Sequence, residues 1–226
     1  MSPPLPNLRY EKKFVAGGCT LPEVLARVRL HPFAFREVYP PRTVNNVYLD
    51  SASRRDYYDH VNGAANRSKT RVRWYGDKFE AAERPFLERK LKRGMVSGKE
   101  AHPIPGLSIS SDCLRSVLNT AFNTATIPPV LRSGLRHVQP ALVNRYQRHY
   151  FLSRDGNFRL TVDSRMQFAA PPHNGRLAFA WSPSLTTLVL ELKFGPEAAE
   201  TVDAITNALP FRVVRFSKYV AGIEGL

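Results

Sequence analysis

Charged and apolar residues alternate along this chain with a period of two. Arg71 and Arg73 flank Val72, and Glu88, Lys90 and Lys92 alternate with Leu87 and Leu91. Arg159, Thr161 and Asp163 alternate with Phe158, Leu160 and Val162, while Glu191 and Lys193 alternate with Leu190, Leu192 and Phe194. Successive side chains of a strand point to opposite faces, so each segment has one apolar side and one ionic side. Near the N-terminus, "RYEKKF" puts Arg9, Glu11 and Lys13 on one face, and Tyr146, Arg148 and Tyr150 share another.

Helical spacing interrupts these strands irregularly. Thr20 and Glu23 form a capping-box pair ahead of an apolar stripe at Leu21, Val24, Leu25 and Val28. "RRDYYDHVNG" reads as a short helix closed by Gly63, "SSDCLRSVLNTAF" as a helix opened by Ser and Asp, and "EAAETVDAITNAL" as another; the last strand, "FRVVRFSKYVAGI", runs into a helical tail. Residues 31–42, with three prolines, residues 94–109, and the Pro128-Pro129 region are expected to be irregular. Strands without strict βαβ alternation imply an antiparallel α+β fold, and 226 residues suit a single domain over 1–226.

The 33 Lys and Arg outnumber 19 Asp and Glu, giving a net charge of +14, so the partner should be an anion. Two cysteines (Cys19 and Cys113) and six scattered histidines carry neither a disulfide framework nor a zinc spacing. Phosphate-loop, dinucleotide and serine-hydrolase signatures are absent. No apolar run approaches the roughly 20 residues of a membrane span, and "MSPPLPNLRY" lacks the apolar core of a signal peptide, so a cytoplasmic location is expected.

A sheet covered on one side and wet on the other gives the same period of two, and period alone does not separate that surface from a charged lumen. Two features favour the lumen. The ionic faces are biased to cations, where a merely soluble surface would mix the signs. The helical stretches also need apolar surface to rest on, which the outward sides of the strands would supply. Like charges about 4 Å apart repel by roughly 4 kcal/mol at an effective dielectric near 20, so such a lumen must hold water or a polyanion. A phosphate chain suits it, since Arg offers phosphate a forked match. The few acids would then serve a hard divalent cation.

The set "RYEKKF", "RVR", "ERKLKRG", "NRYQRHYF", "FRLTVD", "LELKF" and "FSKY" resembles, in order and from about residue 8 to 223, the polyphosphate-polymerase domain named after the vacuolar transporter chaperone (VTC) complex, within the CYTH-like triphosphate tunnel superfamily. The resemblance implies an antiparallel eight-stranded β-barrel tunnel with helices packed outside. It implies catalytic and phosphate contacts from Lys13, Arg71, Arg73, Lys90, Arg148, Arg159 and Lys218, with Arg9, Lys92 and Lys193 joining them in substrate binding. Glu191 is the implied metal carboxylate. Glu11 matches the retained first-strand acid, as a metal or catalytic group. The superfamily's first strand usually reads ExExK. Arg9 stands at the first acid here, a departure toward the polymerase branch.

The implied activity is metal-dependent transfer of the terminal phosphoryl group of ATP to a growing polyphosphate, phosphate or pyrophosphate acceptor, with Mn²⁺ or Mg²⁺. Two alternatives stay open: a tunnel phosphohydrolase acting on tripolyphosphate or nucleoside triphosphates, and a non-catalytic polyanion binder. Nucleic acid is not expected, because the basic residues are spread over many strands with little sign of base-stacking aromatics beside them. Eukaryotic members of the family sit beside membrane spans and an inositol-phosphate sensor. Neither is read here, so coupling to translocation would need a membrane-protein partner; the oligomeric state is open.

Overall fold

In a computed structural model, the residues described are 9–94, 96–109, 113–172 and 179–226. The chain runs β1 (Tyr10–Ala16), α1 (Leu21–Arg29), β2 (Arg36–Asp50), α2 (Arg55–Val61), β3 (Asn66–Tyr75), β4 (Glu83–Arg93) and β5 (Val96–Pro103). It continues through α3 (Leu114–Thr124), α4 (Pro129–Leu135), β6 (Gln139–Leu152), β7 (Phe158–Ala169) and β8 (Leu188–Phe194). A 3₁₀ turn at Pro196–Ala198, α5 (Val202–Asn207), β9 (Arg212–Val213) and α6 (Lys218–Glu224) complete it.

All neighbouring strands are antiparallel, in the order β5-β4-β3-β2-β6-β7-β8-β1-β9. This is nine strands where eight were expected, the ninth being the two-residue β9 on β1. Among the described residues the sheet is not closed by a ladder. One bridge, Arg9 with Ser97, links the start of β1 to β5.

Apolar outward faces explain why the helices sit outside. Val47, Val72, Trp74 and Leu87 pack under Leu114, Leu118 and Phe122 of α3 and Leu131 of α4. On the opposite wall Phe14, Leu160, Val162 and Leu190 pack under Val24 and Val28 of α1 and Ile205 of α5. In α1 the Glu23 carboxylate accepts the Thr20 backbone N–H at 2.7 Å, satisfying one orphan donor of the first turn. The helix α6 differs: it packs on the inner face. Tyr219 is buried with Val44, Leu142, Met166, Phe168 and Val189, and a Cβ on Gly222 would lie 2.5 Å from both Leu142 and Phe168. One end of the interior is therefore apolar and filled by this helix.

Three stretches expected to be irregular are ordered. Residues 36–42 begin β2, carrying Pro40 and Pro41 into the strand. They are tolerated because β3 pairs with β2 only from Val44 onward, leaving this half an edge, and because the β6 register shifts between Tyr39 and Arg42. β5 lies within residues 94–109 and pairs with β4 alone, apart from the Ser97 bridge, so Gly98 falls on an edge. Pro128 and Pro129 start α4 rather than a loop, as N-cap and first helical residue, where proline's missing N–H is harmless. The single helix expected over "EAAETVDAITNAL" divides into the 3₁₀ turn and α5. The Ser and Asp expected to open the third helix fall at 110–112, outside the described residues. No helix among the described residues is long and apolar enough to cross a membrane.

Candidate active site

The inward faces of β1, β3, β4, β6 and β8, with β5 and the start of α6, enclose a cavity of 320 Å³. Ten cationic side chains line it: Arg9, Lys13, Lys69, Arg71, Arg73, Lys90, Lys99, Arg148, Lys193 and Lys218. Among the described residues two carboxylates do so, Glu11 and Glu191. Glu88 and Asp163 contact these cations as well, leaving six cations in excess of four acids.

Each acid is held by a different set. Glu88 is saturated: its Oε2 accepts Arg71 Nε at 2.9 Å and Nη2 at 2.7 Å, and its Oε1 accepts Lys99 Nζ at 3.0 Å. Burial works against the anion, but Arg71, Arg73 and Lys99 hold its pKa far below the usual carboxylate range. Asp163, with no exposed surface, accepts the Arg148 fork at 2.6 and 2.7 Å and Lys218 Nζ at 2.5 Å. Despite burial, Arg148 and Lys218 lower it to about 2. These forked pairs fix the guanidinium planes.

Glu11 and Glu191 are held mainly by lysines. Glu11 meets Lys90 at 2.7 Å and Lys13 at 3.1 Å; Glu191 meets Lys193 at 2.7 Å and, less closely, Arg148 at 3.8 Å. Both sit below the ordinary range although burial pushes them up, because Lys13, Lys90 and Lys193 surround the two, with Arg148 beside Glu191. The register explains the grouping: Lys13 lies opposite Glu191, and Glu11 opposite Lys193. Among the described residues there is no cluster of three or more His, Cys, Asp or Glu that could hold a metal. Magnesium commonly needs only one or two carboxylates, with water and substrate phosphates completing the shell. Glu191 and Glu11 fit that mode, since ammonium groups can swing to phosphate oxygens. Glu88, whose Oε2 is held by two N–H groups of the Arg71 guanidinium, does not.

Arg73 is oriented by Asn46 at 3.0 Å and the Tyr146 hydroxyl at 3.0 Å, and Asn46 is itself held by Asn144 at 2.8 Å. Lys13 Nζ donates to the Phe216 carbonyl at 2.9 Å, linking β1 to the approach to α6. Ser217 and Lys218 enter the cavity because α6 docks inside, with Tyr219 stacked 5.0 Å from Tyr48 and donating to Asp50 at 2.6 Å. Past Arg73 and Arg148 the next inward positions are Tyr75 and Tyr150. There Arg42 lies 4.9 Å from the Tyr39 ring centroid, 5.8 Å from that of Tyr75 and 5.9 Å from that of Tyr150. Aromatic rings therefore do stand beside the cations, contrary to the sequence-based expectation; Tyr39 is hidden from that reading by its place among the prolines.

Of the residues expected at the site, Arg9, Glu11, Lys13, Arg71, Arg73, Lys90, Arg148, Glu191, Lys193 and Lys218 line this one cavity. Two do not. Arg159 is exposed on β7, opposite Lys193 but outside the lining. Lys92 lines a different hollow, with Arg67 and Asp56. Lys69, Lys99, Glu88, Asp163 and Ser217 were missed. Lys69 was legible as the position two before Arg71, and Ser217 as the neighbour of Lys218; nothing local marks Glu88 or Asp163 as the partners that fix the arginines.

The VTC domain model matches residues 8–226. Among solved structures, the chain is similar to a Hippeastrum protein described as a candidate adenylyl cyclase with a dominant triphosphatase activity (TM-score 0.58, 14% identity, 96% of this chain and 95% of that one). It is similar also to a protein of Pyrococcus horikoshii (0.55, 15%, 96% and 99%) and to one from Vibrio parahaemolyticus described as a candidate adenylate cyclase (0.52, 12%, 93% and 95%). At these identities the likeness shows the fold, that of the CYTH-like triphosphate tunnel proteins. A search of curated proteins finds no match.

Proposed function

The chain belongs to the VTC domain family, and on that premise we propose that it is a metal-dependent polyphosphate polymerase, transferring the terminal phosphoryl group of ATP to a growing polyphosphate chain. The observation that carries this reading is the cavity's excess of cations, ten against the four acids that contact them. Only a ligand with closely spaced negative charges engages so many cations at once.

Phosphoryl transfer asks the protein for position and charge stabilisation more than for covalent chemistry, which suits a cavity lined by no Cys or His. Arg71, Arg73 and Arg148, their Nε–Nη2 edges held by Glu88, by Asn46 and Tyr146, and by Asp163, would offer the phosphate chain fixed positive charge. Lys13, Lys90 and Lys193 would supply mobile point charges for the transferred group, and Lys218, held by Asp163, a fixed one. The tunnel metalloenzymes generally use divalent metals. Glu191, with Glu11, would hold Mn²⁺ or Mg²⁺, whose contribution when bound is to neutralise charge on the phosphate oxygens. ATP as donor accords with the cytoplasmic location expected from the sequence.

Incubation with ATP and Mn²⁺ or Mg²⁺, resolving long-chain polyphosphate from free phosphate, tests the reading. Long chains support it. Free phosphate alone makes water the acceptor and the protein a phosphohydrolase, and neither product leaves a polyanion-binding domain.

A further inference from the structure

Cations in the cavity account for the phosphates of a donor and leave its nucleoside without a place. One end of the interior is filled by α6, where Tyr219 stacks on Tyr48. Arg42 lies six residues before Tyr48 on β2, roughly 20 Å away at the rise of a strand, so it stands at the end remote from α6. Three strands surround it with tyrosines: Tyr39 of β2, Tyr75 of β3 and Tyr150 of β6. Tyr39 and Tyr150 meet edge to face, their centroids 5.8 Å apart. Arg42 is exposed, and Tyr39 and Tyr75 keep 54% and 36% of their surface open, so the group presents rings and a guanidinium to solvent instead of packing them away. Glu37, the acid of this half-strand, is taken by Arg29 at 3.4 Å and His149 at 3.2 Å; among the described residues Arg42 forms no ion pair and rests on rings alone.

Tyr75 and Tyr150 sit two residues beyond Arg73 and Arg148 on the same strand faces, about 7 Å farther out. A ligand with phosphates on those arginines therefore has its next group among the tyrosines. In ATP that group is the ribose and then the base, a planar π-system that stacks on an aromatic ring and on a guanidinium alike. An inorganic phosphate chain has nothing to set against a ring. We propose that Tyr39 and Arg42, backed by Tyr75 and Tyr150, form a nucleobase-stacking site that selects a nucleoside triphosphate over an inorganic chain as donor, with the terminal phosphate directed inward to Glu191. The inference rests on the cavity being the phosphoryl-transfer site. Stacking reads the face of a base and not its edge, so ATP and GTP should be held alike.

Calorimetric titration with Mg²⁺ and two probes that do not turn over, the β,γ-imido analogue of ATP and inorganic diimidotriphosphate, separates base from phosphate. Tyr39→Ala should weaken the ATP analogue at least about fivefold and leave the inorganic probe within about twofold. Tyr39→Phe keeps the ring and should match wild type. Arg42→Lys keeps the charge but loses the planar guanidinium, so it should weaken the ATP analogue by roughly threefold or more and spare the inorganic probe. Equal losses for both probes would make these residues phosphate contacts or supports of the fold, and no loss for either would leave the base unheld. Each of those results overturns the nucleobase site and leaves the proposed function standing. Wild type that binds the inorganic probe alone overturns the site together with ATP as donor, and folded wild type that binds neither overturns the cavity as a phosphate site as well.

Discussion

Two hollows among the described residues differ in how they suit a polyanion, and volume does not decide it. Outside the sheet, α2, α4 and the β3–β4 wall frame 490 Å³ lined by Arg55, Arg67, Arg89, Lys92 and Arg93 against Asp50, Asp56 and Asp59. The inner cavity has 320 Å³ and ten cations against four contacting acids. Carboxylates respond oppositely in the two places. In the outer hollow, burial and the neighbouring Asp50 push Asp56 up to about 6. In the inner one Lys193, Lys13 and Arg148 override burial and hold Glu191 far down. What separates a polyanion site from a surface recess here is charge balance under restricted solvent, not volume.

The largest test of that contrast is Glu191→Ala, which should cut metal-dependent turnover of ATP roughly a hundredfold or more while Lys78→Ala, exposed and outside both hollows, leaves it unchanged; chain synthesis assays measure both. Equal activity in the two would dissolve the inner site. Next comes Asp163→Ala. Stripping a buried partner from Arg148 and Lys218 should destabilise the fold by about 3–5 kcal/mol in urea unfolding.

Acid should act through the same aspartate. Its pKa is depressed from 3.8 to about 2, so its stabilisation is complete above about pH 4 and lost as pH falls through about 2. That amounts to about 2 kcal/mol, read as a fall in urea midpoint across this window that a thermal melt should mirror. The smallest effect belongs to the outer hollow and has the opposite sign. Asp56 is raised from 3.8 to about 6, so native protonation helps most below about pH 4, and the benefit is lost as pH rises through about 6. Asp56→Asn should therefore raise stability at pH 7 by about 1 kcal/mol after solvent screening, and remove the slope between pH 4 and 6. A loss of stability in that variant would show that Asp56 serves its neighbours as an anion after all.

Much of this was readable because strands enforce a strict alternation. Once Arg71 was placed on a face, Arg73, and across the hairpin Glu88 and Lys90, had to share it. The same rule failed where a strand leaves the cavity: Arg159 keeps the inward phase yet ends exposed, and Lys92 lines the other hollow. Period reports the face of a strand and not the position along the barrel. Prolines misled for a related reason, since edge status, invisible locally, decides whether Pro40 and Pro41 break a strand.

By itself, the order of residues marked the strands other than β5 and the first half of β2, which side of each is ionic, and that cations exceed acids there, because these follow from local alternation and composition. Only the tertiary structure decided that α6 docks inside to deliver Ser217 and Lys218, that Glu88 is locked by two arginines while Glu191 is held mainly by a lysine, and that Lys69 is left without an acid. Such pairings depend on curvature and register between segments distant in sequence, and the energy of a charge is set by the neighbours that fold beside it.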